Sequence, residues 1–415
     1  MEADARPVQS SNGPSSKSSV RVSSNRDDYM RAALELRPLI EAEADEAEKL
    51  GHLTDKTVAA LRHAGIYNML LPLELGGAEL PFVDAMRVVE QIARADGSTG
   101  WCTMVGNVMG CSQAHVPEKG VRYMYANGPD TMVAGQGIPR GQARIVDGGY
   151  MVRGHWSYGS GIYHAQFAHT GCVVMDGDRP ATDANGAPEI IIAHIERKDF
   201  ELCGNWNVLG LRATGSFDYE LKADEVFIPD YMCYPAGAED PKRGGNQYVL
   251  GLVGFTAWGH TSWGLGVGRR VLDELAIIGR TKSGPFGGVG ESATFKQSFA
   301  QSESKYRSAR AFCYEVWTDV SDSLIRGERA TLEQIALIRM AMRHLHDVLS
   351  EISTSAYRSS GGVALRPSVL QRCYRDVHAG TQHLLLSDQI YQECGRVMLG
   401  MASAKAHWNL LGVVD

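Results

Sequence analysis

No run in this 415-residue chain approaches the roughly 18 consecutive apolar residues that a membrane-spanning helix needs. Positive charge is not in excess either. The formal net charge of −7 favours solubility and removes the electrostatic footprint of a nucleic-acid binder. The eight cysteines are scattered, with no Cys-x-x-Cys pair, so neither a disulfide framework nor a structural zinc site is indicated. Such usage fits a reduced, intracellular setting. The first 25 residues are rich in Ser, Pro and Asn and hold no apolar run; they read as a disordered tail rather than a secretory signal, and the chain as cytoplasmic. Gly264-Leu265-Gly266-Val267-Gly268-Arg269 imitates part of a dinucleotide fingerprint. It follows no clear strand of a βαβ unit and lacks the later acidic residue, so it reads better as close helix packing. His344 and His346 stand two apart on a helix and face different ways, so they make poor joint metal ligands and no metal is expected.

What is present reads as an ordinary globular protein: 21% charged and 44% hydrophobic residues, long enough for two or three packed layers. Residues 28–127 follow a helical pattern. Residues 30–50 are dense in good helix formers, residues 55–64 close on Gly65, and residues 82–95 set Val83, Met86, Val89 and Ile92 on one face. Asp96-Gly97-Ser98-Thr99 breaks that helix, and Ser98 or Thr99 is expected to cap the next, beginning near Trp101. The texture changes at about Thr131. A hairpin signal at Asp147-Gly148-Gly149 and short β-prone runs at 171–175, 190–195 and 218–228 follow. After about Gln247 the helical period returns; Leu332, Ile335, Ile338, Met342, Leu345, Leu349 and Ile352 form one apolar stripe, the mark of a helix in a bundle. The expected fold is α+β and mainly α. It comprises a tail over 1–25, an N-terminal helical domain over 26–128, a middle antiparallel β-domain over 129–240 and a C-terminal four-helix bundle over 241–415.

Several short segments carry candidate chemistry. Ser98-Thr99-Gly100-Trp101 opens a helix, and by itself its Trp would be an ordinary buried aromatic. Gly135-Gln136-Gly137 is either a plain turn or a place where backbone amides approach a ring or phosphate with no Cβ between. Trp156-Ser157-Tyr158-Gly159-Ser160-Gly161 ends a strand with hydroxyls that can donate or accept. The run from Trp206 to Thr214-Gly215-Ser216 leads into the next strand. Arg280-Thr281-Lys282 closes a helix with a guanidinium fork suited to phosphate, and Ser360-Gly361-Gly362 offers a Gly-Gly turn. Arg375-Asp376-Val377-His378-Ala379-Gly380-Thr381-Gln382-His383 lies near the end of the helical third; its Arg-Asp pair reads as structural.

In order and spacing these segments resemble the acyl-CoA dehydrogenase superfamily. Within it they are most similar to the two-component flavin-dependent monooxygenases: hydroxyphenylacetate and steroid-phenol hydroxylases and dibenzothiophene monooxygenases. The resemblance covers nearly everything from Asp28 onward. It implies an acyl-CoA dehydrogenase-like fold, a homotetramer and an oxygenase component. That component would receive reduced FMN (or FADH2) by diffusion from a separate flavin reductase. With O2 it would form a C4a-hydroperoxyflavin and hydroxylate a small phenolic or heteroaromatic substrate. The absence of a credible NAD(P)H unit agrees with a separate reductase. The resemblance makes Ser160 and His383 the catalytic candidates, Ser160 (or Ser157) beside flavin N5 and His383 sharing a proton with the peroxide or a phenol near neutral pH. It assigns Trp101, Gly135, Gln136, Gly137, Trp156, Ser157, Tyr158, Arg280, Gly361 and Gly362 to the cofactor. Asn107, His378, Trp258 and His260 are the substrate candidates. Where many relatives carry a His after the Trp101 motif, this chain has Asn107, Met109 and Gly110, which weakens any simple transfer of phenol contacts.

A dehydrogenase of this superfamily keeps a carboxylate on the late helix or at the start of an earlier one. Residues 377–386 and 248–270 contain none, and Glu393 lies ten residues beyond His383. Without that base, proton abstraction next to a thioester loses its main contributor. N- or S-oxygenation on the same fold is a nearer alternative than an acyl-CoA dehydrogenase or oxidase.

Overall fold

The computed structural model describes residues 25–183, 186–284, 287–409 and 412–414; apart from Asn25, the expected tail lies outside the described residues. The chain opens with α1 (Arg26–Leu50), α2 (Asp55–His63), α3 (Phe82–Ala95), α4 (Gly97–Ser112) and α5 (Glu118–Met124). Side-chain caps fix the first two starts: Asn25 accepts from the Asp27 N–H and Thr54 from the Thr57 N–H. Gly51, at φ 75°, ends α1 in the left-handed region. The break before α4 differs from the sequence expectation. Asp96, rather than Ser98 or Thr99, is the cap: its carboxylate takes both the N–H and the hydroxyl of Thr99 at 2.8 Å, and α4 starts at Gly97.

The middle third comprises β1 (Val133–Val146), β2 (Gly149–Arg153), β3 (His155–Gly159), β4 (Phe167–Asp176), β5 (Arg179–Pro180), β6 (Ile190–Glu196), β7 (Phe200–Leu202), β8 (Phe217–Leu221), β9 (Val226–Pro229) and β10 (Cys233–Pro235). One sheet runs β10-β6-β4-β1-β2-β9 with β5 on β4, and a smaller one runs β3-β8-β7. β1 and β2 form the anticipated hairpin, Val146 opposite Gly149. The domain is not wholly antiparallel, however, because β1 and β4 run parallel. The chain between them makes a crossover through β2 and β3, which returns β4 in the direction of β1.

Gly135 belongs to that parallel pair. It sits opposite His169 at φ 132°, and a Cβ there would lie 2.3 Å from the His169 carbonyl oxygen. Close backbone approach by itself demands a glycine here. Gly135→Ala is expected to cost about 1–3 kcal/mol through overpacking and strain, read as a lowered midpoint in urea; an unchanged midpoint would show that the two strands can separate freely.

The last third holds α6 (Gly251–Thr281), α7 (Ala293–Ile325), α8 (Leu332–Ser360), α9 (Gly362–Leu365), α10 (Val369–Gly380) and α11 (Gln389–Met398). α6, α7, α8 and α10 pack as a bundle, and α3 and α4 lie against α6. The α8 stripe is buried from Ile338 to Ile352, while Leu332 and Ile335 join a second, smaller cluster around Trp408. The glycine run in α6 is packing: a Cβ on Gly266 would meet the Glu90 carbonyl oxygen at 2.3 Å, and one on Gly268 would meet Leu349 at 2.3 Å. That close fit sets His260 and Trp263 over the first turns of α4. Among the described residues no helix is long and apolar enough to cross a membrane.

Candidate active site

Where α4, α6, α8 and the end of α10 converge, two indoles and three imidazoles gather. Trp101, fixed by the Asp96 cap below it, meets Trp263 edge-on at 5.0 Å and His260 at 5.2 Å between ring centroids. His383 lies 6.0 Å from Trp101 and only 4.1 Å from His260. Behind them His346, fully buried, stacks on Trp263 at 5.8 Å and stands 6.2 Å from His260. Trp263 is locked by its indole N–H, which donates to the Gly97 carbonyl at 2.8 Å. Gly380 is the complement: a Cβ there would fall 2.4 Å from the Trp263 ring.

Hydroxyls form the second wall. The Trp101 Nε1–H donates to Ser160 Oγ at 3.0 Å. Ser160 Oγ contacts Ser216 Oγ at 2.7 Å, Ser216 Oγ contacts Thr214 Oγ1 at 2.7 Å, and Thr214 donates to the Leu211 carbonyl at 2.8 Å. Ser160 is only 8% exposed. The Leu211 end is held in turn by Asp376, whose carboxyl accepts the Leu211 N–H at 2.6 Å.

Burial lowers the pKa of all three imidazoles, that of His260 well below its ordinary value and those of His346 and His383 to about 4. Neighbouring imidazoles add to the effect at His260 and His383. His383 is exposed on one side, and the downward direction of its shift comes from the Trp101 and His260 rings packed against the other. All three are therefore uncharged near neutral pH. The Leu385 N–H approaches His383 Nδ1 at 3.4 Å, so Nδ1 accepts and Nε2 carries the proton. His346 donates from Nδ1 to the Met342 carbonyl at 2.8 Å, which leaves its Nε2 a buried acceptor without a partner. His260 Nδ1 is likewise buried and unpartnered. A buried nitrogen in that state points to a ligand or ordered water.

Residues 31–116 match the family described as "Acyl-CoA dehydrogenase, N-terminal domain", and residues 258–388 match "Acyl-CoA dehydrogenase, C-terminal domain". The indole-3-acetate monooxygenase of Pseudomonas putida is 28% identical over 365 residues, 86% of this chain and 90% of its own. The oxygenase subunit HsaA of a flavin-dependent monooxygenase from Rhodococcus jostii is 28% identical over 376 residues, 84% of this chain and 92% of its own. The crystal structure of 3-HSA hydroxylase from Rhodococcus sp. RHA1 superposes with a TM-score of 0.83 at 25% identity, covering 90% of this chain and 97% of that one. The chain belongs to the acyl-CoA dehydrogenase superfamily. It is a flavin-dependent monooxygenase of that fold.

Within this monooxygenase the structure sorts the sequence candidates. Trp101, Ser160, His260 and His383 come together. Trp156 does not reach the cluster: it is fully buried against Tyr219, and its N–H is taken by the Gly171 carbonyl at 2.9 Å. Trp258 is also core, packed on Phe82 and donating to the Phe82 carbonyl. Asn107 is saturated by backbone, accepting from the Leu70 N–H and donating to Ile66 and Thr103 carbonyls, so it offers a substrate nothing. His378 turns to α8, against Ser353, Thr354 and the Tyr374 ring. Gln136 folds back to accept from the Ile138 N–H, and Gly137 is half-buried beside it. Ser157 is half-buried on β3, and Tyr158 is 67% exposed at φ 65°, edge-on to Trp206 rather than to the cluster.

The end of α6 that carries Arg280 and the Gly361–Gly362 turn lie together, away from the cluster. Lys282 bridges the two by donating to the Ser360 carbonyl at 2.6 Å, and Arg280 and both glycines are exposed. Along α6, Arg280 is 20 residues beyond His260, about 30 Å at the rise of an α-helix. One flavin mononucleotide does not span that distance. Arg375 and Asp376 are structural, as their sequence reading has them, each with its own partner: Arg375 binds Glu48 and the Leu209 carbonyl, while Asp376 accepts from the Leu211 N–H. Sequence reasoning named His346, Asp376 and the Thr214-Gly215-Ser216 segment but gave none of them a specific contact at the site. The Thr214-Gly215-Ser216 spacing, two hydroxyls on either side of a glycine at φ 53°, was the available signal for the hydroxyl wall. Glu393, ten residues beyond His383 on α11, accepts from the Val413 N–H at 3.3 Å and so faces the C-terminal segment rather than the cluster.

Proposed function

We propose that this chain is the oxygenase component of a two-component system. It takes reduced FMN, with FADH2 as the alternative, from a separate flavin reductase and uses O2 to hydroxylate a small aromatic ring. The carrying observation is the composition of the cluster: flat aromatic walls, a hydroxyl edge and neutral imidazoles, with no carboxylate in residues 248–270 or 377–386 to serve as a thioester base. Those residues fit a reduced flavin ring and an aromatic partner. Ser160 would meet the flavin at N5, Trp101 would flank it, and the orphaned nitrogen of His260 and the Nε2–H of His383 would face the reacting oxygen or the substrate. A reduced flavin supplies the electrons for oxygen activation; the protein binds it, excludes water and places hydrogen-bond donors.

The relative from P. putida is named for an indole acid, and the indole-sized aromatic wall of Trp101 and Trp263 favours a bicyclic heteroaromatic over a thioester. The chain is expected to work in the cytoplasm as a homotetramer. The Arg280 corner then has a flavin role only if a second copy brings a flavin to it. The test is anaerobic mixing with reduced FMN followed by oxygen in a stopped-flow instrument. A transient spectrally distinct from reduced and oxidised flavin, followed by a hydroxylated indole or phenol, supports the reading. Direct return to oxidised flavin together with reduction of bound flavin by acyl thioesters would replace it with a dehydrogenase.

A further inference from the structure

We propose that Thr214 and Ser216 make this site selective for reduced over oxidised flavin by using up the proton of Ser160. This rests on the reading that Ser160 faces flavin N5. The inference follows from counting protons along the hydroxyl wall. At one end the Trp101 Nε1–H can only donate, at 3.0 Å, and at the other the Leu211 carbonyl can only accept, at 2.8 Å. Between these ends lie three hydroxyls, and the contacts that need their protons are also three: Ser160 with Ser216, Ser216 with Thr214, and Thr214 with the Leu211 carbonyl. Only one assignment satisfies them. Thr214 donates to Leu211, Ser216 therefore donates to Thr214, and Ser160 therefore donates to Ser216. The whole wall is polarised one way, and the far carbonyl is itself engaged by the Trp206 N–H at 3.0 Å, so the direction is anchored.

Ser160 is left with a lone pair and no proton to offer. Oxidised flavin presents an unprotonated N5, which needs a donor, whereas reduced flavin presents N5–H, which needs an acceptor. Such a wall accepts from N5–H and sets one lone pair against another when the flavin is oxidised. An oxygenase that must take reduced flavin and release the oxidised form gains from that asymmetry. Thr214 and Ser216 act through Ser160, so they are positioning residues. Both are buried, at 1% and 3% exposure, and neither has a route to the flavin of its own in this arrangement.

The experiment measures dissociation constants for reduced FMN, anaerobically, and for oxidised FMN, together with the midpoint potential of the bound flavin. Thr214→Val removes the acceptor for Ser216, and Ser216→Ala removes the acceptor for Ser160; each frees the Ser160 proton. The ratio of oxidised to reduced dissociation constants is expected to fall about tenfold in both, which corresponds to a potential about 30 mV lower for a two-electron couple. Thr214→Ser keeps the proton relay and should keep the wild-type ratio. Melting temperatures of all variants separate this effect from misfolding, and the Thr214→Ser and Thr214→Val comparison holds even if Ser216→Ala fails to fold. An unchanged ratio in Thr214→Val, with reduced flavin still bound, overturns the proposal. Ser160→Ala distinguishes the two levels: if it alters reduced-flavin affinity while Thr214→Val alters nothing, only the relay fails. If Ser160→Ala also changes neither affinity, the placement of Ser160 at N5 fails with it.

Discussion

His383→Ala is expected to lower aromatic hydroxylation about 100- to 1000-fold, the usual loss on removing a preorganised hydrogen-bond donor from a reacting oxygen. Its fold should survive. The native ring makes one backbone contact, the 3.4 Å approach of the Leu385 N–H, and loss of such a cap typically costs about 1 kcal/mol. The mode of action matters as much as the size. With a pKa near 4 and the proton on Nε2, His383 is a neutral N–H donor, not the near-neutral proton shuttle that a free histidine would be. The wild-type to alanine activity ratio should therefore stay flat from about pH 6 to pH 8, since a group with its pKa lowered to 4 does not titrate in that interval. His383→Gln, which retains an amide donor, should recover part of the loss. The fraction of consumed oxygen that appears in product, rather than as hydrogen peroxide, is the direct readout. A wild-type inflection near pH 6.5 that vanishes in the alanine variant would instead establish His383 as a base.

The same residues show how far the sequence reaches. Helix α3 spans residues 82–95 as its apolar period and flanking breaks dictate, because both are local properties. The start of α4 was less legible: Asp96, Ser98 and Thr99 are all good caps, and which oxygen reaches which N–H depends on how α3 delivers the chain. The parallel pairing of β1 with β4 is a long-range matter that no local pattern carries. Tryptophans illustrate the limit inside the site. Trp101, Trp156, Trp258 and Trp263 are equivalent as letters, but Trp156 and Trp258 spend their N–H groups on core carbonyls, while Trp101 donates to Ser160. Trp263 sits between these cases, bonded to backbone yet facing the cluster. His344 and His346, two apart on α8, cannot jointly ligate a metal. Their opposite faces are real, and for that very reason only His346 enters the cluster, against Trp263. Motif spacing carried Trp101, Ser160 and His383 to one place; of the residues around them, Thr214 and Ser216 had the Thr-Gly-Ser spacing as a signal, while the orienting role of Asp376 has no periodic or motif signal at all.

Asp376→Asn is expected to raise stability at alkaline pH, by up to about 4 kcal/mol at about pH 8 and by less than about 2 kcal/mol at about pH 5. The argument starts from burial. Asp376 is fully buried on α10; desolvation first, and then the charge of Asp96, raise its pKa from 3.8 to about 7, against the opposing pull of the Leu211 N–H. One carboxyl oxygen takes that N–H; the other is unpartnered and pressed towards Gly97, where a Cβ would lie 2.6 Å away. Between pH 3.8 and about 7 the unfolded chain has released this proton and the folded chain has not. The folded state binds more protons, so stability falls as pH rises through that window and levels off above it. An asparagine cannot ionise and escapes the decline, while its carbonyl can still accept from Leu211. Its new N–H group needs an acceptor at the crowded Gly97 side, and leaving it unmade would subtract about 1–3 kcal/mol. Asp376→Ala separates charge from hydrogen bonding. It removes the acceptor for Leu211, whose own φ of 55° is strained for a side-chain-bearing residue, and so frees the loop from which Thr214 and Ser216 reach Ser160. That variant should be destabilised at both pH values and should bind reduced flavin more weakly, whereas Asp376→Asn should bind it as the wild type does. Urea denaturation at the two pH values decides the point. If Asp376→Asn is destabilised equally at both, the carboxylate is ionised and paired in the folded protein, and the late helix holds the hydroxyl wall through charge instead of through a neutral acid.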